Sequence, residues 1–183
     1  MGHPSKDIMM NTIVIRDLKR KKCLSDSELD ELIQYYKGKK RPAVVIEPGR
    51  SLIGESGFQL YKVGQIKDIK DVRKYVSVDG GMTDNIRPTL YDAKYSAMIA
   101  NKADKVKEES VTICGKCCES GDILIKDISL PKIEKDDILA IFTTGAYGYA
   151  MANNYNKTRI PAVVMIKDND VFEIIRRQSY DDI

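Results

Sequence analysis

A chain of 183 residues with 43% hydrophobic and 31% charged side chains is long enough to bury a conventional core and too apolar for wholesale disorder. Thirty basic against 27 acidic residues leave a net charge of +3, too little for nucleic acid or an anionic membrane to be the main partner. No run approaches the ~18 apolar residues of a membrane span and the N-terminus lacks a secretory signal pattern. Three of the four cysteines, Cys114, Cys117 and Cys118, crowd together far from Cys23. That is a poor framework for stapling a secreted fold, so the expected setting is the cytoplasm.

Residues 1–22 hold one short apolar run, Ile13-Val14-Ile15, to which the pattern assigns no role. Ser25 and Glu28 then have capping-box spacing, with Leu24 and Leu29 placed as a hydrophobic staple. Leu29, Leu32, Ile33 and Tyr36 recur at helical intervals, predicting an amphipathic helix over 26–37 that ends at Gly38. The continuous apolar run Ala43-Val44-Val45-Ile46 suits a strand of a parallel sheet buried on both faces. A helix followed by such a strand is half of a repeating β/α pattern, so the chain reads as beginning inside a β/α domain.

After Ser51 the periodicity becomes that of strands. Runs near 57–69, 72–79, 111–114, 122–128, 137–143 and 162–167 are rich in Val, Ile, Tyr and Phe and bounded by turn residues. Asp168-Asn169-Asp170 is a hairpin signal between Val163–Lys167 and Val171–Ile175. Helical interruptions are expected near 88–101 and 147–153. The fold class expected for 51–183 is mainly β with some helix, an antiparallel barrel or sandwich.

Four segments carry candidate chemistry. Cys114-Gly115-Lys116-Cys117-Cys118 contains a CxxC pair, but a structural zinc needs four ligands and only Cys23 and His3 remain to complete it. The same stretch reads as small buried cysteines in a strand, or, through Cys118-Glu119, as a proton-donating thiol beside a carboxylate that holds an ammonium. Glu47-Pro48-Gly49-Arg50 follows a buried parallel strand, where β/α folds collect ligands and an arginine can grip a carboxylate or phosphate. It also reads as a strand-ending turn with a solvated arginine. In Asp79-Gly80-Gly81-Met82-Thr83-Asp84-Asn85-Ile86-Arg87-Pro88-Thr89-Leu90-Tyr91, the double glycine predicts a turn, and Arg87 and Tyr91 share a face if Pro88 opens a helix. Gly145-Ala146-Tyr147-Gly148 sets a tyrosine among small residues after an apolar strand.

Together these segments resemble the C-terminal part of the diaminopimelate decarboxylase family, pyridoxal-phosphate enzymes of the alanine-racemase fold type. The matching pieces are EPGRS at 47–51, VDGGMTDNIRPTLYDA at 78–93, CESGD at 118–122, GAYGYAMANNYN at 145–156 and IRR at 175–177, in the family's order over roughly 25–183. The resemblance implies a Greek-key-like C-terminal β-barrel domain at 51–183, preceded at 23–50 by the last helix and strand of a truncated TIM barrel. Lys116 stands where the family usually has proline.

Carried over by position, Cys118 would be the proton donor after decarboxylation, and Glu119 would bind the substrate's distal amino group. Arg50, Arg87 and Tyr91 would hold its distal carboxylate. Glu47, Pro48, Gly49, Arg50 and Tyr147 would line the pyridoxal 5'-phosphate pocket, with Tyr147 also reaching the substrate. No metal is implied. The resemblance further implies a homodimer in which Cys118 and Glu119 reach the opposite subunit's site, or a separate barrel fragment as partner. The family's Schiff-base lysine motif and glycine-rich phosphate loop match nothing in these residues, so the expected activity of the chain alone is nil. The alternatives are a decarboxylase of the ornithine/arginine type, or a non-catalytic remnant.

Overall fold

The computed structural model describes residues 49–183 throughout and, before them, residues 12–15, 27, 30, 31, 34, 35, 37, 38 and 43–46. They fall into two units, one up to Gly54 and one from Glu55. In the first, β1 (Thr12–Ile15) and β2 (Ala43–Ile46) pair in parallel, with Thr12 opposite Ala43 and Ile15 opposite Ile46. The Ile13-Val14-Ile15 run therefore has a role that its sequence did not reveal. Four residues are too few to display a period, and only the pairing identifies the strand.

The segment between the two strands is helical at Ser27, Asp30, Glu31, Gln34 and Tyr35, all exposed, and their spacing of three and four marks one solvent face. The expected buried face, Leu29, Leu32, Ile33 and Tyr36, lies outside the described residues, as does the Ser25–Glu28 box. Gly38 follows with φ 78°, a left-handed helix ending that glycine reaches at no steric cost. The first unit thus contains strand, helix and parallel strand. Arg50, expected in a turn, opens a short helix, α1 (Arg50–Ile53).

The second unit is built on a six-stranded sheet. Its strands are β3 (Phe58–Ile69), β4 (Arg73–Val78), β5 (Ala97–Ile99), β6 (Glu109–Cys114), β7 (Ile123–Leu130) and β8 (Ile138–Phe142). Their order across the sheet is β5-β8-β3-β4-β6-β7. Every pairing is antiparallel except β4 with β6, and the edge strands β5 and β7 approach one another, so the sheet curls towards a barrel as expected. Strand β3 serves two partners, β8 through Phe58–Lys62 and β4 through Val63–Ile69. The switch falls at Gly64, where the register slips between Val63 and Ile66 and the Ser77 hydroxyl bridges the Gln65 N–H and C=O at 2.9 and 3.1 Å. A glycine bulge of this kind bends a strand around a barrel corner.

Alternate residues of the strands fill the interior: Val76 and Val78 from β4, Val111 and Ile113 from β6, Leu139 and Ile141 from β8, with Ile99 and Leu130. Burying each such side chain contributes roughly 1.5–3 kcal/mol.

Two expectations need correction. The helix predicted over 88–101 is only α2 (Arg87–Tyr91), because Asp92 turns left-handed at φ 48° and caps it. Ala97 and Ile99 then alternate into the core as β5, so packing overrode the helical pattern. Around 147–153 there is a single 3₁₀ turn at Tyr149–Met151. The hairpin of β9 (Val163–Lys167) and β10 (Asp170–Ile175) forms where predicted, with Lys167 opposite Asp170. Its loop residues Asp168 and Asn169 have φ of 53° and 69°, the two left-handed conformations that a two-residue type I′ turn requires.

Candidate active site

The turn leaving β4 sets up the first part of the site. Asp84 and Asn85 both donate their backbone N–H to the Gly81 carbonyl at 3.0 Å, while an Asp84 carboxylate oxygen accepts the Gly81 N–H at 3.0 Å. Burial raises the Asp84 carboxyl above the usual range, opposed by that N–H and by Lys116. Gly81, at φ 149°, takes a conformation closed to L side chains. From this closed turn α2 starts with Pro88 in its first turn, where a missing N–H costs nothing.

Helix α2 presents Arg87 and Tyr91 on one face, as their spacing predicts. The Arg87 guanidinium carbon lies 5.0 Å from the Tyr91 ring centroid and 5.4 Å from that of Tyr147, both within cation–π range. Its Nη1 reaches the Met151 sulfur at 3.6 Å. Its Nε is buried without an acceptor, and the side-chain amide of Asn85, 1% exposed, also lacks partners at both atoms. Buried polar groups are nearly always paired, so an orphan at this position marks a place for something else. Tyr147 arrives from the turn after β8 and is itself left-handed, at φ 64°, as is Thr143 at 61°. Such conformations in bulky and β-branched residues are uncommon and cluster at functional sites.

The second part is the loop from Gly115 to Gly121, between β6 and β7. Its neck is closed by the Gly115 N–H donating to the Asp122 carbonyl at 2.9 Å, and the Lys116 N–H donates to the Gly80 carbonyl at 3.1 Å. Proline at 116 could not make the latter bond. Lys116 Nζ also reaches the Asp79 carbonyl at 3.0 Å. Cys118 and Glu119 are exposed, and Glu119 accepts a hydrogen bond from the Tyr155 hydroxyl, which raises the phenol's pKa. Cys114 and Cys117 are partly buried, and burial with the Asp122 charge pushes both thiols up. The Thr89 hydroxyl donates to the Gly121 carbonyl at 2.5 Å, joining α2 to this loop.

Of the residues singled out from sequence, the fold brings Arg87, Tyr91 and Tyr147 together and sets Cys118 and Glu119 side by side on the neighbouring loop. Gly49 and Arg50 lie in the first unit at the start of α1; Glu47 and Pro48 lie outside the described residues. Among the described residues no three His, Cys, Asp or Glu side chains gather as metal ligands; Cys23 and His3 are not among them. A groove of about 390 Å³ beside α2, lined in part by Thr89, Asp92, Lys94, Tyr95, Ser120 and Lys126, includes neither Arg87 nor Cys118. Sequence reasoning missed Asn85, Asp122, Met151 and Tyr155. All four stand inside or next to quoted motifs, but only burial and partners single them out.

Residues 7–145 match the family described as the C-terminal sheet domain of pyridoxal-dependent decarboxylases. The chain belongs to this family. The match to these decarboxylases begins within residues 1–22, the segment the motifs left unassigned. Diaminopimelate decarboxylase of Bacillus methanolicus is 57% identical over 139 residues, 76% of this chain and 32% of that protein. The Bacillus subtilis enzyme is 54% identical over 142 residues, 78% and 32%. The chain thus spans about a third of the curated relatives' length. The crystal structure of the M. jannaschii diaminopimelate decarboxylase in complex with L-lysine superposes with a TM-score of 0.72 at 35% identity, covering 94% of this chain and 42% of that one. A Selenomonas ruminantium lysine decarboxylase, at 18% identity and a TM-score of 0.56, shares the fold.

Proposed function

We propose that this chain supplies the C-terminal part of the site of a diaminopimelate decarboxylase, which converts meso-2,6-diaminopimelate to L-lysine and CO₂. The observation that carries this reading is the buried, acceptorless Nε of Arg87 between two tyrosine rings. A guanidinium held this way fits an anion. Diaminopimelate ends in a carboxylate as well as an ammonium, whereas ornithine and arginine end in a cation alone. Two unit charges 4 Å apart interact by on the order of 4 kcal/mol at an effective dielectric of 20. The sign of that interaction separates the two substrate classes by more than a thousandfold.

In this reading Arg87 and Tyr91 hold the distal carboxylate, and Glu119 takes the distal ammonium. Tyr155 orients Glu119 by its hydrogen bond, while Tyr147 lines the cofactor and substrate pocket. An exposed phenol in a fixed left-handed turn, beside a guanidinium with a free N–H, is a donor set suited to phosphate and carboxylate oxygens, so the residues present fit pyridoxal 5'-phosphate. That cofactor, when bound, supplies an electron sink for loss of CO₂. Cys118 then delivers a proton from its thiol to the carbon that has lost CO₂. The exposure of Cys118 and Glu119 suits a pair that completes the opposite site of a homodimer.

The test is complementation. A β/α-barrel fragment of a Bacillus relative, carrying the cofactor lysine, is mixed with this chain, and CO₂ release from diaminopimelate is measured. Activity that appears with both pieces and falls with Arg87→Ala supports the reading. No activity from two folded pieces favours the non-catalytic alternative, and turnover of ornithine in preference to diaminopimelate contradicts the substrate.

A further inference from the structure

Among the described residues the most buried acid is Asp122, 3% exposed. Its carboxylate accepts two backbone N–H groups, Met82 at 2.6 Å through Oδ1 and Cys117 at 2.7 Å through Oδ2. Its own N–H donates to the Glu119 carbonyl at 3.0 Å. Room for the carboxylate exists only because Gly81 and Gly115 face it: a Cβ at either position would collide with its oxygens. A single anion therefore joins the turn that leads to Arg87 to the loop that carries Cys118 and Glu119.

We propose that Asp122 is a positioning residue that turns Cys117 inward and presents Cys118 and Glu119 outward, so that one thiol of the three is offered for chemistry. The proposal rests on the reading of Cys118 and Glu119 as site residues. Each carboxylate oxygen takes one N–H, so the Cys117 backbone is fixed and the next two residues project from the loop's tip. The chemical selection follows from the same placement. A negative charge beside Cys117 opposes its ionisation, and Cys114 is also disfavoured as a thiolate by burial and by the same charge. Both stay protonated and poorly nucleophilic. An asparagine at 122 could accept only one of the two N–H groups. Its amide hydrogens would confront the other, and the charge would be gone.

The test uses the 183-residue chain, iodoacetamide at pH 8 and mass spectrometry to map each cysteine. In the wild type Cys118 labels first and Cys117 and Cys114 lag. In Asp122→Asn the Cys117 rate rises about tenfold while Cys114, inside β6 with its Sγ 3.6 Å from the Val76 carbonyl, stays slow and reports an intact sheet. Gly115→Ala, which pushes on the same carboxylate, raises the Cys117 rate in the same way. An unchanged Cys117 rate in Asp122→Asn with Cys114 protected overturns the proposal. So does release of Cys114, Cys117 and Cys118 together in both variants, since Asp122 would then merely hold the fold. In the complemented enzyme, full activity of Cys118→Ala alongside the expected labelling would remove the reading of Cys118 as proton donor and leave the clamp standing. A silent Asp122→Asn label beside an inactive Cys118→Ala would do the reverse.

Discussion

Replacing Arg87 with methionine separates a residue kept for ligand binding from one kept for stability. In this structure Arg87 buries an Nε with no acceptor, a defect worth about 1–3 kcal/mol against the fold. Its favourable contacts are the two rings at 5.0 and 5.4 Å, about 0.5–1 kcal/mol each, and a weak approach to the Met151 sulfur. Methionine removes the unpaired N–H, keeps much of the apolar stem and places a thioether against the same rings. The balance runs from roughly 1 kcal/mol of destabilisation to 2 of stabilisation. With a urea dependence of about 1–3 kcal/mol per molar, the midpoint should fall by no more than about 1 M and is as free to rise. Urea titration followed by circular dichroism reads this directly, and the complemented enzyme should lose most of its affinity for diaminopimelate. A loss above about 2 kcal/mol would refute the reasoning, since Arg87 would then be a structural residue whose partner the geometry fails to identify.

Three further outcomes are expected. In the complemented enzyme Cys118→Ala should cost about 10²–10⁴-fold in kcat, the worth of a positioned acid, while Cys114→Ala costs less than about threefold; inactivity of Cys117→Ala with a silent Cys118→Ala would move the proton donor by one residue. Tyr155→Phe should raise KM for diaminopimelate about tenfold at nearly constant kcat, since it removes one charge-assisted bond to Glu119; an unchanged KM would exclude Tyr155 from substrate binding. Burial works to raise the Asp137 carboxyl, but Lys102, Asn101 and the Glu134 N–H outweigh it and leave its pKa below the usual range. Its folded pKa lies below its unfolded one, so its stabilisation is complete above about pH 4–5 and is lost as pH falls through the folded value. Asp137→Asn should therefore flatten the acid limb of thermal stability, and a limb as steep as the wild type's would place the acid sensitivity elsewhere.

What could be read from the sequence was what local chemistry decides. The strands β3, β4 and β6 to β9 were legible because Val, Ile, Tyr and Phe alternate between turn residues, and the β9–β10 hairpin because Asp168-Asn169 tolerates two left-handed residues. The contiguous motifs around Arg87, Cys118 and Tyr147 were legible for the same reason: each is a short run whose spacing survives in one dimension. The pairing of Arg87 with Tyr91 was a matter of helix period. Strand β5 was misread because Ala97 and Ile99 acquire their alternation only from the core they face, and β1 because its partner Ala43–Ile46 lies some thirty residues on.

The tertiary structure decided the rest, and the reason is that burial and charge pairing belong to no single segment. Tyr147 reaches Arg87 from sixty positions away, across the turn after β8, and nothing within either motif states that their side chains meet. Asp122 looked like the last letter of a cysteine motif. Only folding removes it from water and places it between the N–H groups of Met82 and Cys117, which makes one carboxylate the junction of two loops. Residue types and spacings were enough to say which chemistry this chain resembles. Which thiol faces outward, which guanidinium nitrogen lacks an acceptor and which acid holds the loop depend on desolvation, a property of the folded molecule alone.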